Sequence, residues 1–419
     1  MIERQVFDNG LCLLTESMPS GRSISLGAWL TRGSRDESLS NPGIAHFVEH
    51  MLFKGTATRT AEGIAQEIDS IGGHLDAFTA KECVTYYIKV LDEHLPRAVA
   101  VLSDLLLNPA FADQEINREQ NVVVEEIKMV EDTPDDLVYE IFSRNFWPNH
   151  PLGKPILGTV DSVRAFNQAT LQTFFSKTYT AGNLVIAAAG NVNNRVIGEL
   201  ISDAFAALPV STEVLESTAP TVDIRLELRD KDLEQAHVCL GTTGYPETHA
   251  DRYASYVLNT VLGGSMSSRL FQNIREKRGL AYAVSSGLTA YRDAGNLTVY
   301  AGCDTSAVPE VVELVAAELR AMKETVVPVD ELQRAKDHLK GSVVLGLEST
   351  TSRMSQLARS EMTFGRQIEL SETLDAIDAV TSEDVQRVAT DFFRQGGLAG
   401  TIVGPIKGID LSTSQLDLS

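Results

Sequence analysis

The segment His46-Phe47-Val48-Glu49-His50 sets two imidazoles four residues apart with a carboxylate between them. On a helix, residues i and i+4 share one face, so both rings can reach one metal ion, and Glu49 at i+3 lies beside them. Zinc accepts neutral imidazole nitrogens, and a catalytic zinc site takes three protein ligands and an open position for water. A carboxylate next to that water can act as general base, while the metal lowers the water's pKa and polarises a carbonyl. The bland alternative is two unrelated surface histidines.

A third ligand has to come from elsewhere, and the acidic helix predicted over 113–131 offers one. At ~100° per residue, Ile116, Val123, Ile127 and Val130 form an apolar stripe, extended by Val122 and Met129. Glu119 and Glu126 fall about 20° apart inside that arc, whereas Glu125 projects to the far side. Carboxylates on a core-facing stripe are costly unless something cationic meets them. A zinc ion on Glu126, with Glu119 supporting a ligand from behind, resolves the cost. The alternative is a pair of Arg or Lys partners, and none stands out nearby in the sequence.

The elements that must carry these residues occur twice. Val6–Asp8 and Leu11–Leu13 flank the turn signal Asn9-Gly10, and Ile24, Leu26, Ala28 and Leu30 alternate as a strand. A helix from about Gly43, a strand over 84–90, helices over 92–107, 113–131, 133–146 and 168–179, and a strand over 184–190 follow. A comparable order recurs after residue 225. An offset of 214 residues pairs Leu26-Gly27 with Leu240-Gly241, Tyr86 with Tyr300, and Gly190 with Gly404, which reads as a duplication. The expected fold is α+β: two homologous domains, 1–208 and 225–419, each a largely antiparallel sheet covered by helices, joined by a linker at 209–224. The same offset puts Thr260, Gly263 and Gly264 opposite His46, Glu49 and His50, and Lys340 opposite Glu126, so one zinc per chain is expected.

The chain has 419 residues, with 36 basic and 57 acidic side chains and a net charge of −21. That balance argues against nucleic acid, which is bound through surplus Lys and Arg, and against an anionic membrane surface. It suits either plain solubility or attraction of cationic ligands. Four scattered cysteines without a CxxC pair speak for a reducing compartment. With no signal-like N-terminus and no apolar run of about 18–20 residues, the expectation is a soluble, cytoplasmic protein.

Together with Gly73-His74-Leu75-Asp76-Ala77-Phe78-Thr79, Tyr86-Tyr87, Arg118-Glu119 and Arg275-Glu276-Lys277-Arg278-Gly279-Leu280-Ala281-Tyr282, the metal motif resembles the inverzincin peptidases of the pitrilysin (M16) family. The length and the repeat are similar to its two-domain, mitochondrial processing peptidase-like branch. The resemblance implies His46, His50 and Glu126 as zinc ligands, Glu49 as general base and Glu119 as a supporting carboxylate. It implies that Leu75, Asp76, Ala77, Phe78 and Thr79 form an edge strand that takes substrate by β-augmentation. Asp76 stands where the family usually has Asn. Arg275 and Tyr282 match a pair that holds the peptide carbonyl and the tetrahedral oxyanion, acting in trans within a homodimer.

Asp136 and Glu140 are similar in position to acids that read a basic residue near the scissile bond. The bland alternative is that Thr133-Pro134-Asp135-Asp136 is a helix N-terminus, with Asp136 capable of capping. The function implied is a zinc metalloendopeptidase acting on peptides or unfolded, presequence-like segments in a closed chamber, by Glu-assisted attack of zinc-bound water. The competing class is a catalytically silent scaffold or peptide-binding subunit of the same fold.

Overall fold

The computed structural model describes residues 2–210, 218–394 and 397–418. The chain divides into two compact units. One comprises Met1–Met129, Lys154–Ser217 and Gly346–Gln367; the other comprises Val130–Gly153, Thr218–Leu345 and Ile368–Ser419. These are not the contiguous halves 1–208 and 225–419, because one stretch of each half belongs to the other unit. Of the expected linker 209–224, residues 211–217 lie outside the described residues.

In the first unit, β1 (Ile2–Val6), β2 (Cys12–Ser17), β3 (Ser23–Leu30), β4 (His74–Thr79), β5 (Val84–Leu91) and β6 (Leu184–Gly190) form a sheet of order β1-β2-β6-β3-β5-β4. Only β2 and β6 run parallel. The second unit has β7 (Leu226–Asp230), β8 (Ala236–Gly244), β9 (Ala281–Ala290), β10 (Gly295–Cys303) and β11 (Ala399–Gly404), ordered β7-β11-β8-β10-β9, with β7 and β11 parallel. The second sheet repeats the first without its leading strand, as a duplication requires.

The helices of the first half are α1 (Ile44–Leu52), α2 (Ala61–Asp69), α3 (Leu95–Leu107), α4 (Asp113–Asp132), α5 (Pro134–Phe146), α6 (Val160–Ala165), α7 (Gln168–Thr178) and α8 (Asn194–Ala204). Those of the second are α9 (Arg252–Leu262), α10 (Val308–Glu324), α11 (Val329–Gly346), α12 (Thr350–Phe364), α13 (Leu370–Ala379) and α14 (Ser382–Phe392).

Each sheet is covered on both faces, which explains fully apolar strands such as β6. In the first unit Leu26, Tyr86 and Ile186 meet Phe47, Val48 and Leu102 on one side. On the other, Leu14, Trp29, Val185 and Ala187 meet Met354, Leu357 and Ala358 of α12. In the second unit the corresponding face, with Cys239, Ala399 and Val403, is covered by Leu137, Ile141, Phe142 and Phe146 of α5.

Helices α5 and α12 hold equivalent places in the repeat, each after a long helix, and each packs in the unit that the other half of the sequence supplies. At ~1.5 Å per residue α4 is about 30 Å long, and its last residues, Val130–Asp132, already belong to the second unit.

The offset of 214 holds for α7 and α14 but fails at α1. Thirteen residues separate β3 from α1, and seven separate β8 from α9. Matching helix starts sets Ala254, Val257 and Leu258, all buried, opposite His46, Glu49 and His50. Thr260, Gly263 and Gly264 instead close α9, where a Cβ on Gly263 would lie 2.5 Å from the Ser286 nitrogen.

Candidate metal centre

Helix α1 buries Ile44, Ala45, Phe47, Val48, Met51 and Leu52 with the core and turns His46, Glu49 and His50 to its other side. Its N-cap is Gly43 at φ 89°, where a Cβ would sit 2.5 Å from the Leu157 carbonyl oxygen. Glycine has no side chain to cap the exposed amides, and Glu37 supplies the acceptors: Oε2 takes the Gly43 N–H and Oε1 the Ala45 N–H, both at 2.8 Å. Burial pushes the Glu37 carboxyl up to about 8 against the pull of those two donors. A cavity of about 580 Å³ also borders Glu37, with Arg32, Asp36, Phe174 and Lys177 in its wall, but it contains none of the metal-site side chains.

His46 Nε2 and His50 Nε2 each lie 3.6 Å from Glu126 Oε2. That oxygen is buried and has no hydrogen-bond partner. Among the described residues this is the one group of His, Cys, Asp and Glu whose ligand atoms converge, all within 4.8 Å of one another. An orphaned carboxylate oxygen facing two ring nitrogens fits a divalent cation with imidazole and carboxylate ligands, for which zinc is the natural choice.

The electrostatics agree. Burial, helped by His50, lowers His46 to about 3, which keeps its ring neutral and able to ligate. His50 Nδ1 lies 2.9 Å from Glu119 Oε1. Burial opposes its charged form, but that bond and the charges of Glu126, Glu119 and Glu49 prevail and raise it. Glu126 is raised by burial.

Glu119 is 3 % exposed, yet His50 and Lys54 hold its carboxyl below the ordinary value against the effect of burial. Lys54 Nζ sits 2.9 Å from Glu119 Oε2. Glu119 thus has a lysine partner, which the spacing of the acids on α4 does not reveal. The place of Lys54 four residues after His50 was the available signal. The apolar stripe of α4 is also narrower than expected: Ile116, Val123 and Val124 are buried, but Val122 and Met129 are 49 % and 61 % exposed.

Glu49 is 8 % exposed, and its Oε2 accepts the Thr79 hydroxyl at 2.5 Å. Burial pushes its carboxyl up to about 7, a value suited to a base working near neutrality. Thr79 ends β4, the open edge of the sheet, where Leu75, Ala77 and Thr79 turn inward and His74, Asp76 and Phe78 outward. Asp76 Oδ1 accepts the Ala77 N–H at 2.8 Å and Oδ2 the Tyr87 hydroxyl at 3.0 Å. Both are acceptor roles, which a carboxylate fills.

The remaining candidates lie in the second unit. Asp136 is exposed and Glu140 half-buried on α5. Arg275 sits in a π-helical turn, Phe271–Glu276, for which residue types and spacing carry no signal. Its guanidinium carbon lies 4.7 Å from the Phe271 ring centroid and 4.8 Å from that of Tyr282. Tyr282 is 78 % exposed. Lys340 bonds Asp378 Oδ1 at 2.6 Å.

A helix carrying His46, Glu49 and His50 beside the edge strand β4, with Glu126 from a second helix, is an arrangement able to hold a metal ion. Residues 12–160 match the model of the insulinase family, peptidase family M16, and residues 165–339 match that of the peptidase M16 inactive domain. A protein of Bacillus subtilis called an uncharacterized zinc protease is 40 % identical over 94 % of this chain and 96 % of its own. One of Streptomyces coelicolor bearing the same description is 41 % identical over 97 % of this chain and 90 % of its own. The chain belongs to peptidase family M16.

The fold is shared with a protease from Helicobacter pylori (TM-score 0.88, 22 % identity, 96 % and 98 % of the two chains). It is shared also with a Pseudomonas fluorescens structure described as a peptidase M16 inactive domain (TM-score 0.89, 22 % identity, 97 % and 98 %). No helix among the described residues is long and apolar enough to cross a membrane.

Proposed function

We propose that the chain is a zinc metalloendopeptidase that hydrolyses peptides laid extended along β4. The observation that carries this reading is the partnerless, buried Glu126 Oε2 facing the Nε2 atoms of His46 and His50. Zinc held there by His46, His50 and Glu126 would supply a Lewis acid for the scissile carbonyl and would lower the pKa of a bound water.

The chain's own residues do the rest. The free edge of β4 offers its backbone to a peptide, which holds substrate with little demand on its sequence. Glu49, buried and poised near neutrality, accepts the proton of the attacking water and passes it to the departing amine. Glu119 keeps His50 oriented through Nδ1. Arg275 and Tyr282 from a second copy hold the carbonyl oxygen as negative charge develops on it, so the assembly is a homodimer enclosing a chamber. The stacking of Arg275 between Phe271 and Tyr282, with Tyr282 open to solvent, supports a role beyond packing. Asp136 and Glu140 give such a chamber an affinity for basic substrate residues.

The test is Glu49→Gln. We expect one zinc per chain and an unchanged melting temperature, with peptide hydrolysis reduced on the order of 100-fold or more. A zinc-loaded wild-type chain that cleaves no unfolded substrate, or a Glu49→Gln chain that cleaves as fast as wild type, refutes the reading.

A further inference from the structure

A general base works only if its carboxylate is held in place, and a free glutamate side chain resists this through its rotamer entropy. Nothing on α1 itself holds Glu49; its partner is Thr79, thirty residues on, at the end of the edge strand. The Thr79 backbone is fixed by pairing with Val84 and by the turn bond from the Ala80 N–H to the Cys83 carbonyl, 2.8 Å. Leu75 and Ala77, on the same inward row, pack against the core. Thr79 is β-branched, so few rotamers are open to its hydroxyl. The donor therefore sits on a rigid support, and it meets the carboxylate at 2.5 Å.

We propose that Thr79 is the positioning residue of Glu49: its hydroxyl fixes one carboxylate oxygen and leaves the other for the attacking water. The inference rests on the peptidase reading above and deepens it. The strand that would receive the peptide also carries the group that orients the base, so substrate docking and the base share one support. Loss of the hydroxyl is felt in turnover rather than in binding, because the backbone edge of β4 survives it.

The experiment compares Thr79→Val, which keeps the shape and removes the hydroxyl, with Thr79→Ser, which keeps the hydroxyl. Both are assayed on a fluorogenic peptide that the wild type cleaves, with zinc content and melting temperature measured alongside. Thr79→Val is expected to lower kcat about 10- to 100-fold with KM and zinc content unchanged, and Thr79→Ser to recover most of it. In a Glu49→Asp background, whose shorter carboxylate no longer reaches Thr79, the valine substitution is expected to cost little more. A crystal structure of Thr79→Val is expected to show the Glu49 carboxylate in a changed or divided conformation.

A Thr79→Val enzyme with wild-type kcat overturns the proposal, as does one altered only in KM, or a serine variant as slow as the valine one. Should Thr79→Val melt early, Thr79→Ser and Thr79→Ala decide the matter by the same kcat criterion. A zinc-loaded wild type that cleaves nothing refutes the peptidase reading instead, which keeps the two failures apart.

Discussion

His50 Nδ1 stands 2.9 Å from Glu119 Oε1, and this contact occupies one ring nitrogen while the other, Nε2, faces Glu126. With Nδ1–H donated to the carboxylate, the lone pair of Nε2 faces Glu126. Lys54, 2.9 Å from the other oxygen, keeps Glu119 ionised in its buried position. A helix residue, a distant glutamate and a lysine just past the helix thus act as one unit.

Breaking that unit should weaken the metal site without abolishing it. Glu119→Ala is expected to lower zinc affinity about 10- to 100-fold, with Lys54→Met acting in the same direction and less strongly. Competition against a chromophoric chelator measures both, and an unchanged affinity in Glu119→Ala would show the contact to be incidental.

Zinc affinity should depend on pH through His50. Its pKa is raised in the metal-free chain, so a proton must leave before zinc binds. Affinity is therefore level above that raised pKa and falls about tenfold per pH unit below it. His46, at about 3, adds no proton over the same range. Removing the Glu119 carboxylate moves the onset to lower pH, and an affinity flat between about pH 5 and 7 in the wild type would contradict the assignment.

The loop that follows Lys54 hangs on Asp104 of α3. Asp104 Oδ2 accepts from Thr56 Oγ1 at 2.6 Å, Thr58 Oγ1 at 2.9 Å and Arg59 Nη1 at 2.7 Å. Burial raises its pKa, but these donors and Asn108 outweigh it and hold the carboxyl below its ordinary value. A depressed folded pKa gives stability that is complete above the unfolded value, about 4, and is lost as pH falls through the folded one. Asp104→Asn should cost about 1.5–3 kcal/mol at neutral pH, with the difference shrinking in acid. Urea melts at two pH values would reveal a pH-independent deficit if the charge is irrelevant.

Leu357 on α12 is buried against the sheet of the first unit. Leu357→Ala should destabilise that unit by about 2–5 kcal/mol, although the residue lies in the second half of the sequence. Hydrogen exchange resolved by segment would locate the loss, and a loss confined to α9, α10 and α14 would sink the assignment of α12.

Much of the candidate site is legible in residue types alone. His46, Glu49 and His50 betray themselves because helical period converts a spacing of four into a shared face, and two acids seven apart on α4 call for a cation. Lys54 was hidden because its partner lies 65 residues away in sequence, and the Thr79–Glu49 contact because it joins a strand to a helix. The duplication was legible at β3 and β8 or α7 and α14, where loop lengths agree, and misled at α1, where six fewer connecting residues precede α9.

The sequence by itself determined the local chemistry and the repeated order of elements, since both follow from periodicity and residue type within short windows. Which helix covers which sheet was decided only in three dimensions. A strand with two apolar faces demands a cover on each, but nothing in its own residues says that Met354 and Leu357, rather than Ile141 and Phe142, will lie against Trp29. That choice belongs to burial summed over the whole unit.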